Sequence, residues 1–120
     1  MPRKLGRGWK QARGRLYESI EDPRSRLFAA LACDQRIEIL KLLRDGEKCT
    51  CDMAPHLRVD ISVVSRHLTV LKSLGLIVSR KEGVSNYYSV EDQRIFNILD
   101  TALEILKDMT ERHRDIFSRL

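Results

Sequence analysis

The apolar residues of this chain recur at helical spacing along most of its length and switch to a strand-like spacing only once. Leu27, Ala30 and Leu31 follow Asp22-Pro23, an N-cap residue with proline at the first helical position, and mark a first helix. Cys33-Asp34 restarts the chain. Ile37, Leu40 and Leu43, with Ile39, then build a stripe that stops at Asp45-Gly46, which predicts a helix of about ten residues. Pro55 constrains the next helix, because an interior proline loses a backbone hydrogen bond and clashes with the preceding turn. A short third helix is therefore expected to begin near Cys51 or Asp52 and to end by Val59, with Asp60 as the next N-cap.

In the segment DISVVSRHLTVLKSLGL, Val64, Leu68 and Leu71 share one face, while Ser62, Ser65, Arg66 and Thr69 gather on the other. One side of this fourth helix packs and the other is free to read a partner. After Gly75 the period changes. LIVSRK and VSNYYSV are short β-rich runs separated by Glu82-Gly83, a hairpin signature that puts Arg80 and Lys81 at the tip. From Glu91 onward, Ile95, Ile98, Ala102, Ile105 and Met109, widened by Leu99, Leu103 and Leu106, form a stripe larger than one small core needs. A second copy of the chain is expected to cover it.

Composition sharpens this picture. The chain has 120 residues, 42% of them apolar, which suits one globular domain. It has no apolar run of about 18 residues and no apolar segment near the N-terminus, so the reading is a cytoplasmic protein without a membrane partner. The formal charge of +5 is unevenly spread: residues 1–17 hold six bases and no acid, leaving 16 of the 22 bases against 17 acids. A basic arm over residues 1–20, partly ordered, would thus precede a near-neutral domain over 21–120. Such an arm either follows phosphates or is a solvated tail.

Two short helices, a tight connection, a helix polar on one face and a basic hairpin describe a winged helix-turn-helix, whose second helix enters the DNA major groove. The expected fold class is α+β, mostly helical, in the order α-α-α-α-β-β-α, dimeric through its terminal helices. The alternative is a small α+β module that uses the same pattern for packing alone.

Residues 27 to 90, and above all the block SRHLTVLKSLGLIVSRKEG and the C-x-C-D segment at the start of the third helix, resemble the ArsR/SmtB family of metal-responsive repressors. The resemblance implies a homodimer on double-stranded operator DNA that lets go when a thiophilic ion binds. By position it assigns Ser62, Ser65, Arg66 and His67 to the recognition helix, and Arg80 and Lys81 to the wing. Ile61 and Val63 depart from the family's polar positions there, and His67 is equally read as a half-buried helix residue. The family's other ion site, on the last helix, falls at Asp92, Arg94, Ile105 and Asp108. A cation and an aliphatic residue cannot ligate zinc, so that site is expected to be missing, and His113 reads as a surface residue.

Cysteine is scarce and its spacing matters. Three cysteines make a poor disulfide framework, so chemistry or burial must explain them. Cys49 and Cys51 are soft donors able to chelate As(III), Sb(III), Cd(II), Pb(II) or Zn(II), with no permanent cofactor implied. Residues two apart diverge on an α-helix and share a side in extended chain, so chelation needs non-helical backbone at the pair. Cys33 is the remaining thiol for a three-sulfur site, although a helix about 15 Å long lies between; the alternative is a small buried hydrophobe. Asp52 and His56 are fallback ligands. The competing functions are an ion-released repressor, the same DNA-binding fold with the dithiol sensing oxidant or persulfide, and a metal-buffering thiol protein that binds no DNA. Nothing in the sequence groups a nucleophile, a base and an orienting residue, so the chain does not read as an enzyme.

Overall fold

The computed structural model describes residues 22–118, with side chains as far as Asp115. The elements are α1 (Pro23–Leu31), α2 (Asp34–Leu43), β1 (Lys48–Cys49), α3 (Thr50–Leu57), α4 (Ile61–Ser73), β2 (Ile77–Glu82), β3 (Ser85–Val90) and α5 (Arg94–Ser118). The basic arm expected over residues 1–20 lies outside the described residues.

Local chemistry explains most boundaries. The Asp22 carboxylate accepts the backbone N–H of Arg24 at 2.9 Å, which caps α1 ahead of Pro23. Cys33 precedes α2 in extended conformation, and α2 has the ten residues expected. α3 departs from expectation: it starts at Thr50, earlier than Cys51, and encloses Pro55. The early start is stabilised by Asp52, whose carboxylate accepts the backbone N–H of Cys49 at 3.2 Å. Proline then removes only the hydrogen bond that residue 55 would give to the Cys51 carbonyl, a tolerable loss in an eight-residue helix. Arg58 ends α3 with φ of 57°, a left-handed conformation at a residue other than glycine, and this bends the chain into α4.

The sheet holds a strand that hydrophobic spacing did not reveal. β1 is two residues long, too short to show a period, and pairs antiparallel with β3 through Lys48–Tyr88 and Cys49–Tyr87. The strand order is β1-β3-β2, so the observed sequence of elements is α-α-β-α-α-β-β-α. β2 and β3 pair from Ile77–Val90 to Glu82–Ser85, which places the turn at Gly83-Val84. Gly83 adopts φ of 62° there. Arg80 and Lys81 therefore stand within the strand opposite Tyr87 and Asn86, not at the tip.

Ile39, Leu40, Met53, Val64, Leu68, Leu71 and Ile77 are fully buried and knit α2, α3, α4 and β2 into one core. The three apolar positions of α4 expected to pack are all buried. α5 begins at Arg94 rather than Glu91, buries Ile95 and Phe96 against this core, and has Ile98 and Leu99 half-buried. Beyond them Leu103, Ile105, Leu106 and Met109 are exposed, at 40% to 58%. No described helix is long and apolar enough to cross a membrane.

Candidate DNA interface and thiol site

The outer face of α4 is set by its inner one. Because Val64, Leu68 and Leu71 anchor the helix, Ser62, Ser65, Arg66 and Thr69 emerge together on the exposed side. Thr69 Oγ1 donates to the Ser65 carbonyl at 2.9 Å. Arg66 makes no hydrogen bond or ion pair among the described residues, so its five donors are available. Ile61, at the first position of the helix, is half exposed, and Val63 is partly covered. His67 does not join this face. Its ring is partly buried against α2, with Nε2 2.8 Å from Gln35 Oε1 and Nδ1 3.3 Å from the Arg36 guanidinium.

The wing differs from the sequence-based expectation. Arg80 Nε and Nη2 donate to the two carboxylate oxygens of Glu47 at 2.7 and 2.8 Å, and Nη1 donates to Glu82 at 2.6 Å. Its guanidinium also lies over the Tyr87 ring, 5.0 Å from the centroid. These carboxylates raise the Arg80 pKa further, and Arg80 in turn holds the Glu47 carboxyl below its ordinary value. Lys81 is exposed and has no partner among the described residues. Glu47 has no signature in the sequence, since only the pairing of β1 with β3 carries it to the wing.

The cysteine pair sits where β1 turns into α3. Cys49 is extended and buried, Cys51 is exposed in the first turn of α3, and the structure joins them in a disulfide. A single bridge across one intervening residue is no framework, but it does bring the two sulfurs together, with only Cys49 outside helical geometry. One atom each of Cys49, Cys51 and Asp52 lie within 4.8 Å of one another. Cys33 is not part of that cluster; it stands free at the far end of α2, as the length of that helix implied. His56 is exposed on α3 and also outside the cluster.

A cleft of about 210 Å³ adjoins the pair, and Cys49, Cys51, Ile61, Val84 and Asn86 line it. The thiol pair thus borders both the start of α4 and the wing turn. Just ahead of α5, Asp92 is gripped by the Arg94 side chain at 2.7 Å, which brings its carboxyl down to about 2, so this acid is already paired. His113 is exposed.

Comparison with known proteins meets this geometry. The family model described as "Bacterial regulatory protein, arsR family" matches residues 33–79, from the cap of α2 into β2. The cadmium resistance transcriptional regulatory protein CadC homolog of Staphylococcus aureus is 37% identical over 79 residues, and the match spans 65% of each chain. The uncharacterized HTH-type transcriptional regulator MJ1325 of Methanocaldococcus jannaschii is 35% identical over 80 residues, 66% of this chain and 90% of its own. Among solved structures, the homodimeric winged helix-turn-helix DNA-binding domain of Mb0332 from Mycobacterium bovis superposes with a TM-score of 0.68 at 27% identity, covering 79% of this chain and 88% of that one. The chain belongs to the ArsR/SmtB family of winged helix-turn-helix transcriptional regulators and is not an enzyme.

Proposed function

We propose that the chain is a homodimeric repressor that binds double-stranded operator DNA and is released by a thiophilic ion held at Cys49 and Cys51. As(III) and Sb(III) are the leading inducers, by the likeness of the C-x-C-D segment to the family's arsenic-type site. The observation that carries this reading is the meeting of Cys49, Cys51 and Asp52 beside α4 and the wing turn. Two soft sulfurs and a carboxylate fit a thiophilic ion, and Cd(II), Pb(II) and Zn(II) are the remaining candidates, the first being named in the CadC homolog. Cys33, held apart by α2, joins as a third sulfur only if the chain rearranges. Binding of an ion requires the bridge to be reduced, since thiolates are the ligands.

On the DNA side, Ser62, Ser65, Arg66 and Thr69 face the major groove and Lys81, with Arg80, the backbone beside it. The exposed stripe of α5 supplies the dimer, which presents two reading helices about one DNA turn apart on an inverted repeat. An ion drawing Cys49 and Cys51 into one coordination sphere moves the start of α3 and, through the β1–β3 pairing, the wing. By linkage, an ion that lowers operator affinity a hundredfold binds the DNA-bound form a hundredfold more weakly, about 2.7 kcal/mol.

A second reading rests on the bridge between the two sulfurs. The same pair can sense an oxidant: peroxide takes two electrons from the two thiols, which form the disulfide, and leaves as two waters. One gel-shift series on reduced protein and its own upstream DNA separates the readings, with arsenite, antimonite, cadmium, zinc and peroxide in parallel. Release by an ion under reducing conditions, abolished in Cys49→Ser/Cys51→Ser, supports the first. Release by peroxide alone supports the second. A double variant released by arsenite as readily as the parent removes the pair from the first, and one released by peroxide as readily removes it from the second.

A further inference from the structure

His67 is the one residue assigned by resemblance to the recognition helix that α4 turns inward, and its partners define a clamp between three helices. A guanidinium only donates, so the contact of 3.3 Å between Arg36 Nη1 and His67 Nδ1 makes Nδ1 an acceptor. The ring proton then resides on Nε2 and is donated to Gln35 Oε1 at 2.8 Å. Arg36 continues the chain of contacts: its Nε donates to the Ala30 carbonyl at 2.6 Å and its Nη2 to the Ala29 carbonyl at 3.4 Å. Both are carbonyls of the last turn of α1: Ala29 also accepts the backbone N–H of Ala32 at 3.3 Å, whereas Ala30 lies past the last intrahelical donor, so Arg36 takes that place. Gln35, Arg36 and His67 are all partly buried. One planar cation thereby ties the end of α1 to α2, and the imidazole ties α2 to α4.

We propose that neutral His67 is a positioning residue, which sets the pitch of the recognition helix through Arg36 and Gln35 without touching DNA, and that its protonation opens this clamp. The inference rests on the operator-binding reading above and adds a device to it. A proton on Nδ1 would point an N–H at the guanidinium and replace an attraction with a like-charge repulsion. Burial, then Arg36 of α2 and Arg66 of the same helix, hold the ring below its ordinary pKa, and among the described residues no carboxylate opposes them. From α1 the groups turned to the clamp are the neutral carbonyls of Ala29 and Ala30. The clamp is therefore intact above about pH 6.5 and is lost as the pH falls toward the lowered value.

Three measurements on the full chain test this. Nitrogen-15 spectra of the free protein at about pH 8 should show His67 with Nδ1 bare and Nε2 protonated; the opposite tautomer overturns the clamp, whatever the DNA does. His67→Ala should weaken operator binding about tenfold at that pH, equally at every base substitution in the operator, whereas relaxed preference at one base pair would make His67 a reader and overturn the proposal. His67→Gln, whose amide can accept from Arg36 and donate to Gln35 but cannot titrate, should restore affinity to within about threefold. At a pH low enough to charge the parent's ring, it should bind more tightly than the parent. Parallel pH profiles for parent and His67→Gln would defeat the switch. Failure of the parent to retard its operator at any pH would strike the operator reading instead, leaving the tautomer to decide the clamp.

Discussion

The reading helix and the wing are both basic, yet they hold their charge in opposite ways. On α4, Arg66 is exposed and unpaired among the described residues, with two serines beside it. On the wing, Arg80 is enclosed by Glu47, Glu82 and the face of Tyr87, while Lys81, its neighbour, has no such partner among the described residues. An arginine already satisfied by two carboxylates gains little from a phosphate, because the new contact must first replace the old ones. Proximity of a cation to DNA therefore says less than what that cation touches beforehand. On the operator-binding reading proposed above, the helix specifies and the wing adjusts affinity.

The largest effect acts on both surfaces at once. Leu106→Asp with Met109→Asp, on the exposed stripe of α5, should yield monomers in sedimentation and reduce operator affinity by more than about a hundredfold. A variant that stays dimeric would make that stripe an ordinary solvated face. Next, Arg66→Ala should weaken operator binding by at least about tenfold and relax preference at one base pair in each half-site. Lys81→Ala should cost less, a few-fold, but flatten the salt dependence by about two counterions per dimer, as loss of a phosphate contact from each protomer requires. The smallest change should come from releasing the wing arginine: Glu47→Gln should tighten operator binding about twofold, and Arg80→Ala should leave it nearly unchanged. Were Arg80→Ala to match Arg66→Ala in titrations, the contrast between helix and wing would fail.

Much of this is legible in the sequence wherever a repeat of spacing or a cap is present. Asp22-Pro23, the stripe of α2, the two faces of α4 and the paired β-rich runs each rest on several residues that agree, and the helices and hairpin lie where those residues put them. The failures involve single residues and distant partners. β1 has two residues and no period, so neither it nor the path from Glu47 to Arg80 could be read. Pro55 argues for a late start of α3 only while the compensation that Asp52 gives is left out. The contacts of His67 lie about thirty positions away on α2, where hydrophobic spacing carries no information about hydrogen bonds.

The strand order has a consequence beyond recognition. With β3 in the centre and β1 only two residues long, β2 forms an open margin of the sheet, a row of backbone groups ready to accept a strand from another molecule. Arg80, Lys81 and Glu82 occupy half of that margin, and consecutive charges there repel or desolvate any strand that approaches. The wing's charges thus also act as gatekeepers of solubility. A wing refitted with β-branched residues to suit different DNA would give up that protection of its edge.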